Sequence, residues 1–263
     1  MKSPPEDLID PETERAAKRL SSISGGRVLD VATGDGTFIQ TLMKSLKDYE
    51  SFVGIDISAE EVESARERMK EESVEILEMN AEFLDFDNEY FDTVCISYSL
   101  HHMVKLNTVM AEMYRVLKRG GHFIVSESYS DGDQTRAQKT GILNHHWDAE
   151  IDSQRGIPHN KTLKRDEIKE NLGGLGLADI EIFDCTQSIN CLPCDKWSEC
   201  SDPMNTEGMR KSIEEIEHNL SNLEETEESR TRSRLIKEGE DLKERIRRTG
   251  TSPARSLVLI GRK

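Results

Sequence analysis

Between residues 27 and 126, short apolar runs of strand length alternate with longer stretches of helical periodicity. A chain patterned this way folds most simply as a parallel sheet whose crossover helices cover both faces. Arg27-Val28-Leu29-Asp30-Val31 is mostly apolar at odd and even positions alike, as suits a strand buried on both sides, and it stops at a glycine-containing turn. Phe52–Ile55, Val74–Leu77, Phe91–Ser97 and His122–Ser126 predict four further strands. Helices are expected over 37–47, from Ser58 onward, and over 107–118 with Gly120-Gly121 as the stop. Ser58 and Glu61 have the S-x-x-E spacing of a capping box, and Val62, Ala65 and Met69 then line one side of that helix. Upstream, Asp10-Pro11 reads as an N-cap followed by a first-turn proline, opening a helix through Ala16, Ala17 and Leu20 that Ser24-Gly25-Gly26 closes.

Beyond Glu127 the rhythm changes. A polar, histidine-containing stretch runs to about 162, followed by a helix over 165–172 closed by Gly173-Gly174, a strand near Ile180–Phe183 and a final strand at Ser256–Ile260. Within 186–250 a cysteine-containing loop leads into a highly charged helical region. Ile213, Ile216, Leu220 and Leu223 keep one register there, which is lost until Leu235, Leu242 and Ile246, so two helices are expected. The expected fold class is α/β: a Rossmann-like, mostly parallel seven-stranded sheet with helices on both faces and helical insertions after β5 and between β6 and β7. Residues 1–185 and 251–263 would form the main domain, and 186–250 a lid or dimerisation arm.

The charge balance limits the partners. Asp and Glu number 51 against 35 Lys and Arg, a formal charge of −16, and such a chain repels a phosphate backbone, so a nucleic-acid substrate is not expected. No run reaches the ~18 apolar residues of a membrane span, and MKSPPEDLID lacks the apolar core of a signal peptide, so a cytoplasmic protein without membrane attachment is expected. Five cysteines, an odd number in a chain of this size, predict reduced thiols.

Four loops at the carboxyl ends of successive strands carry the chemistry. Asp30-Val31-Ala32-Thr33-Gly34-Asp35-Gly36 follows the first strand directly and opens a helix, where backbone without Cβ atoms lets a ligand come close. Asp56 ends the next strand, twenty residues after Gly36, where a carboxylate can accept both hydroxyls of a ribose. Asn80-Ala81-Glu82 follows the third strand, and Ser97-Tyr98-Ser99-Leu100-His101-His102 the fourth. A nicotinamide-binding G-x-G-x-x-G is not present, because Ile39 occupies the third glycine position. Tyr114 and Lys118 have Y-x-x-x-K spacing but lie on the helix leading to the VLKRGG turn.

Through these residues the chain resembles the class I S-adenosylmethionine (SAM)-dependent methyltransferases, and VLDVATGDG looks most like the ubiquinone and menaquinone biosynthesis group. The resemblance spans about 25–127. It implies SAM as cofactor and S-adenosylhomocysteine as product, with Asp30, Gly34 and Gly36 cradling the methionine portion, Asp56 holding the ribose, and Asn80 and Ala81 flanking the adenine. Ala32, Thr33, Ile57, Glu82, Ser97 and Tyr98, in the same loops, complete the expected cofactor contacts. Ala32 departs from the commoner glycine, and Asn80 from a frequent aspartate.

Methyl transfer from a sulfonium needs alignment and at most one proton removed, so few catalytic side chains are required. His101 and His102 are candidates for that base, and an alternative role for them is to cap the loop. Ser97-Tyr98-Ser99-Leu100 differs from the Asn/Asp-Pro-Pro-Tyr/Phe of amino-methylating enzymes, which with the acidic charge favours a small-molecule acceptor. Three readings compete for the block 145–159: a solvated helix anchored by Trp147, an acceptor pocket using His146, Trp147 and Arg155, and a metal site through His145, His146, Glu150 and His159. The acceptor pocket is the expectation adopted, with no metal. Cys185, Cys191, Cys194 and Cys200 lie within sixteen residues, a grouping expected to be unligated, with a tetrahedral zinc site or capture of a thiophilic substrate as the alternatives.

The leading function is a SAM-dependent methyltransferase (EC 2.1.1.-) that transfers a methyl group to a small molecule by direct displacement. The alternative is a SAM-binding or degenerate methyltransferase-like module that holds a protein partner through the charged arm, which is also a candidate homodimer surface. The sequence does not identify the acceptor.

Overall fold

The computed structural model describes residues 9–70, 72–191, 202–224 and 229–263. Its contacts divide the chain into two units, one from the described residues of Met1–Glu127, Asp166–Asp195 and Ser256–Lys263, the other from those of Ser128–Arg165 and Lys196–Arg255.

The first unit holds a seven-stranded sheet in the order β3-β2-β1-β4-β5-β7-β6. Its strands are β1 (Arg27–Val31), β2 (Ser51–Asp56), β3 (Val74–Glu78), β4 (Phe91–Ser97), β5 (Leu117–Ser128), β6 (Ala178–Cys185) and β7 (Ser256–Arg262). The first five pair in parallel, and β6 and β7 pair antiparallel. Both faces are buried, because alternate strand residues point to opposite sides. Val28 joins one core with Ala16 and Leu20 of α1 (Pro11–Leu20), Phe38 and Leu42 of α2 (Thr37–Ser45), and Val62 and Met69 of α3 (Ala59–Met69). Leu29 and Val31 face the other way and are equally buried. Between β4 and β5 runs α4 (Leu106–Val116), with Val109, Met110 and Met113 buried.

Local signals explain the element starts. Asp10 caps α1 by accepting the N–H groups of Glu12 and Thr13, and the Ser58 hydroxyl accepts that of Glu61 at the start of α3. The helix expected over 107–118 stops earlier, at Val116, and β5 begins at Leu117 instead of His122. The Gly120-Gly121 pair is part of this strand: Gly120, at φ +75°, donates its N–H to the Lys263 carbonyl, and Lys263 donates back to Gly121. Pairing with a segment far away in the sequence overrides the local helix stop.

The second unit contains α5 (Arg136–Gln154), α7 (Thr206–Glu224) and α8 (Arg230–Thr249), while α6 (Arg165–Gly173) lies in the first, apart from Arg165. Thr135 and Gln138 form a full capping box at the start of α5. Trp147 and Ile151 of α5 pack with Ile216, Leu220 and Leu223 of α7 and with Leu235, Leu242 and Ile246 of α8. By their contacts, residues 128–165 cluster with the later helices. The apolar stripes of the charged helices find their partner in α5, so burying them needs no second copy of the chain.

Candidate active site

β1 lies between β2 and β4, so the chain leaves it toward β3 on one side and resumes with β4 on the other. Such a switch point opens a crevice beyond the carboxyl ends of the strands. The turn after β1 has positive φ at Ala32 (+53°), Gly34 (+53°) and Gly36 (+82°). Asp30 supports this turn from inside: it is 1% exposed, accepts the Thr33 hydroxyl at 2.7 Å and receives the Cys95 thiol at 3.4 Å. Burial pushes its carboxyl up to about 7, against the Thr33 and Cys95 hydrogen bonds and with help from the charge of Asp56. Asp30 and Thr33 thus brace the loop from beneath.

Gly34 presents an open side. A Cβ built there meets only Glu61 Oε2, at 3.7 Å. Its N–H donates to Asp56 Oδ2 at 2.9 Å, and Asp56 Oδ1 accepts the Ser58 N–H at 3.0 Å. Beside it Ile57 is 69% exposed, and Phe83, after β3, is 71% exposed. Asn80 shapes that third loop by accepting the Glu82 N–H with its side chain at 2.9 Å, and Glu82 Oε2 lies 2.7 Å from Lys105 Nζ. Ala81 is half-buried between them.

After β4, Tyr98 adopts φ +50°, a conformation that a non-glycine residue rarely holds. Its hydroxyl donates to Ser188 Oγ at 2.9 Å and its N–H to the Ser126 carbonyl. Tyr98 therefore locks the loop to β5 and to the segment after β6. The Ser97 hydroxyl is buried without a hydrogen-bond partner. His101 follows, 6% exposed, with Nδ1 3.1 Å from Glu127 Oε1. Glu127, fully buried at the end of β5, also accepts the Leu100 N–H at 2.8 Å. His102 is exposed and stacks obliquely on His101, ring centroids 4.2 Å apart. Glu127 was not among the expected site residues; the only signal for it is a carboxylate just after the apolar run Phe123–Val125.

These features fit SAM. Asp56 offers its remaining lone pairs to ribose hydroxyls, Ile57 and Phe83 leave apolar surface exposed for a purine face, and Gly34 leaves space where a side chain would intrude.

The residues expected to touch the acceptor lie in the second unit and do not act alike. Trp147 is 4% exposed and donates its indole N–H to the Leu235 carbonyl at 2.9 Å, so it anchors α5 in the helical core. His146 and one edge of Trp147 line a pocket of about 700 Å3 with Lys161, Glu150, Arg234 and residues of α8. Arg155, at the end of α5, is exposed, near Asp152, and is not among the residues lining that pocket. Of the suggested metal donors, His145 and His159 face each other, whereas Glu150 pairs with Arg234. Cys185 is buried and Cys191 partly so; Cys194 and Cys200 lie outside the described residues. None of the described helices is long and apolar enough to cross a membrane.

Residues 29–125 match the model of a methyltransferase domain, and this segment is a methyltransferase domain of the class I, SAM-dependent type. Over 117 residues the chain is 33% identical to a demethylmenaquinone methyltransferase of Lactococcus lactis, covering 43% of this chain and 46% of that protein. The chain spans about half the length of the curated relatives it matches. Among solved structures, the YcgJ protein of Bacillus subtilis shares the fold with a TM-score of 0.56 at 18% identity, over 96% of this chain and 97% of that one. Phosphoethanolamine N-methyltransferase 2 of Haemonchus contortus, in complex with phosphomonomethylethanolamine and S-adenosylhomocysteine, does so with a TM-score of 0.55 at 19% identity, over 96% and 52%.

Proposed function

We propose that this chain is a SAM-dependent methyltransferase whose acceptor is a small molecule, with His101 as the base. The observation that carries the reading is the Gly34 N–H held on Asp56 at the end of β2, with Ile57 and Phe83 exposed just after β2 and β3. Bound SAM supplies a methyl group already activated by its sulfonium. The chain's own residues then bind, align and take a proton. Asp56 holds the ribose, and the Asn80-Ala81 loop flanks the adenine. Glu127 holds the Nδ1 edge of His101 with one oxygen and accepts the Leu100 N–H with the other, and the imidazole so oriented is the group that takes the acceptor's proton. The acidic chain, at −16, favours an uncharged or cationic small acceptor over nucleic acid.

The test is calorimetry with SAM and S-adenosylhomocysteine, followed by incubation with methyl-labelled SAM and a metabolite extract. Saturable one-to-one binding and label in the small-molecule fraction are expected. Absence of SAM binding overturns the cofactor assignment, and label appearing only in protein or nucleic acid overturns the acceptor class.

A further inference from the structure

The second unit contains a pair of imidazoles that the methyl-transfer reading leaves unused. His145 lies on α5, and Asp152 follows it seven residues later, two helical turns on and on the same face. Past the end of α5 the chain reverses at Gly156, where φ is +76° and the N–H of Ile157 returns to the Asp152 carbonyl. The reversal brings His159 back against the helix. His159 Nε2 then lies 3.1 Å from His145 Nε2, with the ring planes 80° apart.

The outer nitrogen of each ring is held by an oxygen. His159 Nδ1 is 2.8 Å from Asp152 Oδ2, and His145 Nδ1 is 3.1 Å from the hydroxyl of Thr162, which is 8% exposed. A carboxylate that takes the Nδ1 proton of His159 directs the ring's lone pair out through Nε2, toward His145. Two imidazole nitrogens at this distance either share one hydrogen, the Nε2–H of one ring meeting the lone pair of the other, or both turn their lone pairs to a metal ion. Metal-bound histidines characteristically give their second nitrogen to a carboxylate, hydroxyl or carbonyl, which is the arrangement on both rings here. Two nitrogens at ~2.1 Å from a tetrahedral ion stand about 3.4 Å apart, so opening the pair by a few tenths of an ångström admits one. We infer that His145 and His159 bind a divalent transition-metal ion through their Nε2 atoms, with Asp152 and Thr162 orienting the rings. Imidazole donors suit zinc, nickel, copper or iron, and the ion's other positions go to further donors, water included. This departs from the expectation of no metal, and it does not depend on the SAM reading.

Full-length protein stripped of metal and titrated with Zn2+ tests it, with Co2+ as the spectroscopic substitute. One ion per chain at micromolar affinity is expected, with Co2+ giving visible bands of nitrogen coordination. His145→Gln and His159→Gln should each weaken binding at least a hundredfold, and Asp152→Asn ten- to a hundredfold, while far-ultraviolet circular dichroism keeps its helical signal. Absence of saturable binding to the unaltered protein overturns the proposal, leaving a hydrogen-bonded histidine pair. Binding that survives both histidine substitutions also overturns it, by placing the ion elsewhere.

Discussion

Asp56 ties two loops of the crevice together, its Oδ2 accepting the N–H of Gly34 at 2.9 Å while its Oδ1 accepts that of Ser58 at 3.0 Å. One carboxylate therefore shapes both the turn after β1 and the start of α3.

Replacing Asp56 with alanine should weaken SAM binding roughly ten- to a hundredfold, since a charge-assisted hydrogen bond contributes ~1.5–3 kcal/mol. The loss of the Gly34 contact adds to this by loosening the turn. Calorimetry on Asp56→Ala checks it, and an affinity within threefold of the unaltered protein would remove Asp56 from the cofactor site.

Glu127 and His101 should fail together. A glutamine at 127 still accepts the Leu100 N–H through its oxygen, but its amide then donates to His101 Nδ1 and moves the ring proton to Nε2, which takes the base away. Methyl transfer by Glu127→Gln should fall about a hundredfold or more, with SAM affinity within threefold. Equal rates in the variant and the unaltered protein would leave the pair a purely structural one.

In the helical unit, Asp148 on α5 accepts the side-chain amide of Asn219 on α7 at 3.0 Å. Burial, opposed by Asn219 and reinforced by the charges of Glu215 and Asp152, pushes its carboxyl from 3.8 to about 6. A folded-state value above the unfolded one means that the folded form keeps a proton the unfolded form has released. The contribution of Asp148 to stability is therefore greatest below about pH 4, falls as the pH rises through about 6, and stays lower above that. Asp148→Asn should raise the Tm at pH 7.5 by several degrees, on the order of 1–2 kcal/mol, with the difference vanishing near pH 4. The buried Oδ1 of Asn144 lacks a hydrogen-bond partner, and turning that side chain lets its oxygen accept from the amide that the substitution introduces. Thermal melts at the two pH values decide it; a variant no more stable at pH 7.5 would show that the charge of Asp148 costs nothing.

The sequence by itself determined the elements and most of their order, because strand periodicity, caps and turn glycines act over a dozen residues or fewer. The strand Phe91–Ser97, the Asp10 cap and the positions of Gly34 and Asp56 at strand ends were all legible from such local rules. Thr135 and Gln138 carried the same kind of signal for the start of α5. Only the tertiary structure decided what distant residues do to one another. Lys263 draws Gly120-Gly121 into β5, α7 and α8 pack Trp147 into the helical core, and parallel pairing of β4 with β5 brings Glu127 to His101. His145 and His159 meet because the chain reverses after α5. Each of these contacts is set by packing between segments whose own propensities are silent about the partner, so the chemistry of His101 and His145 becomes visible only once the chain has closed on itself.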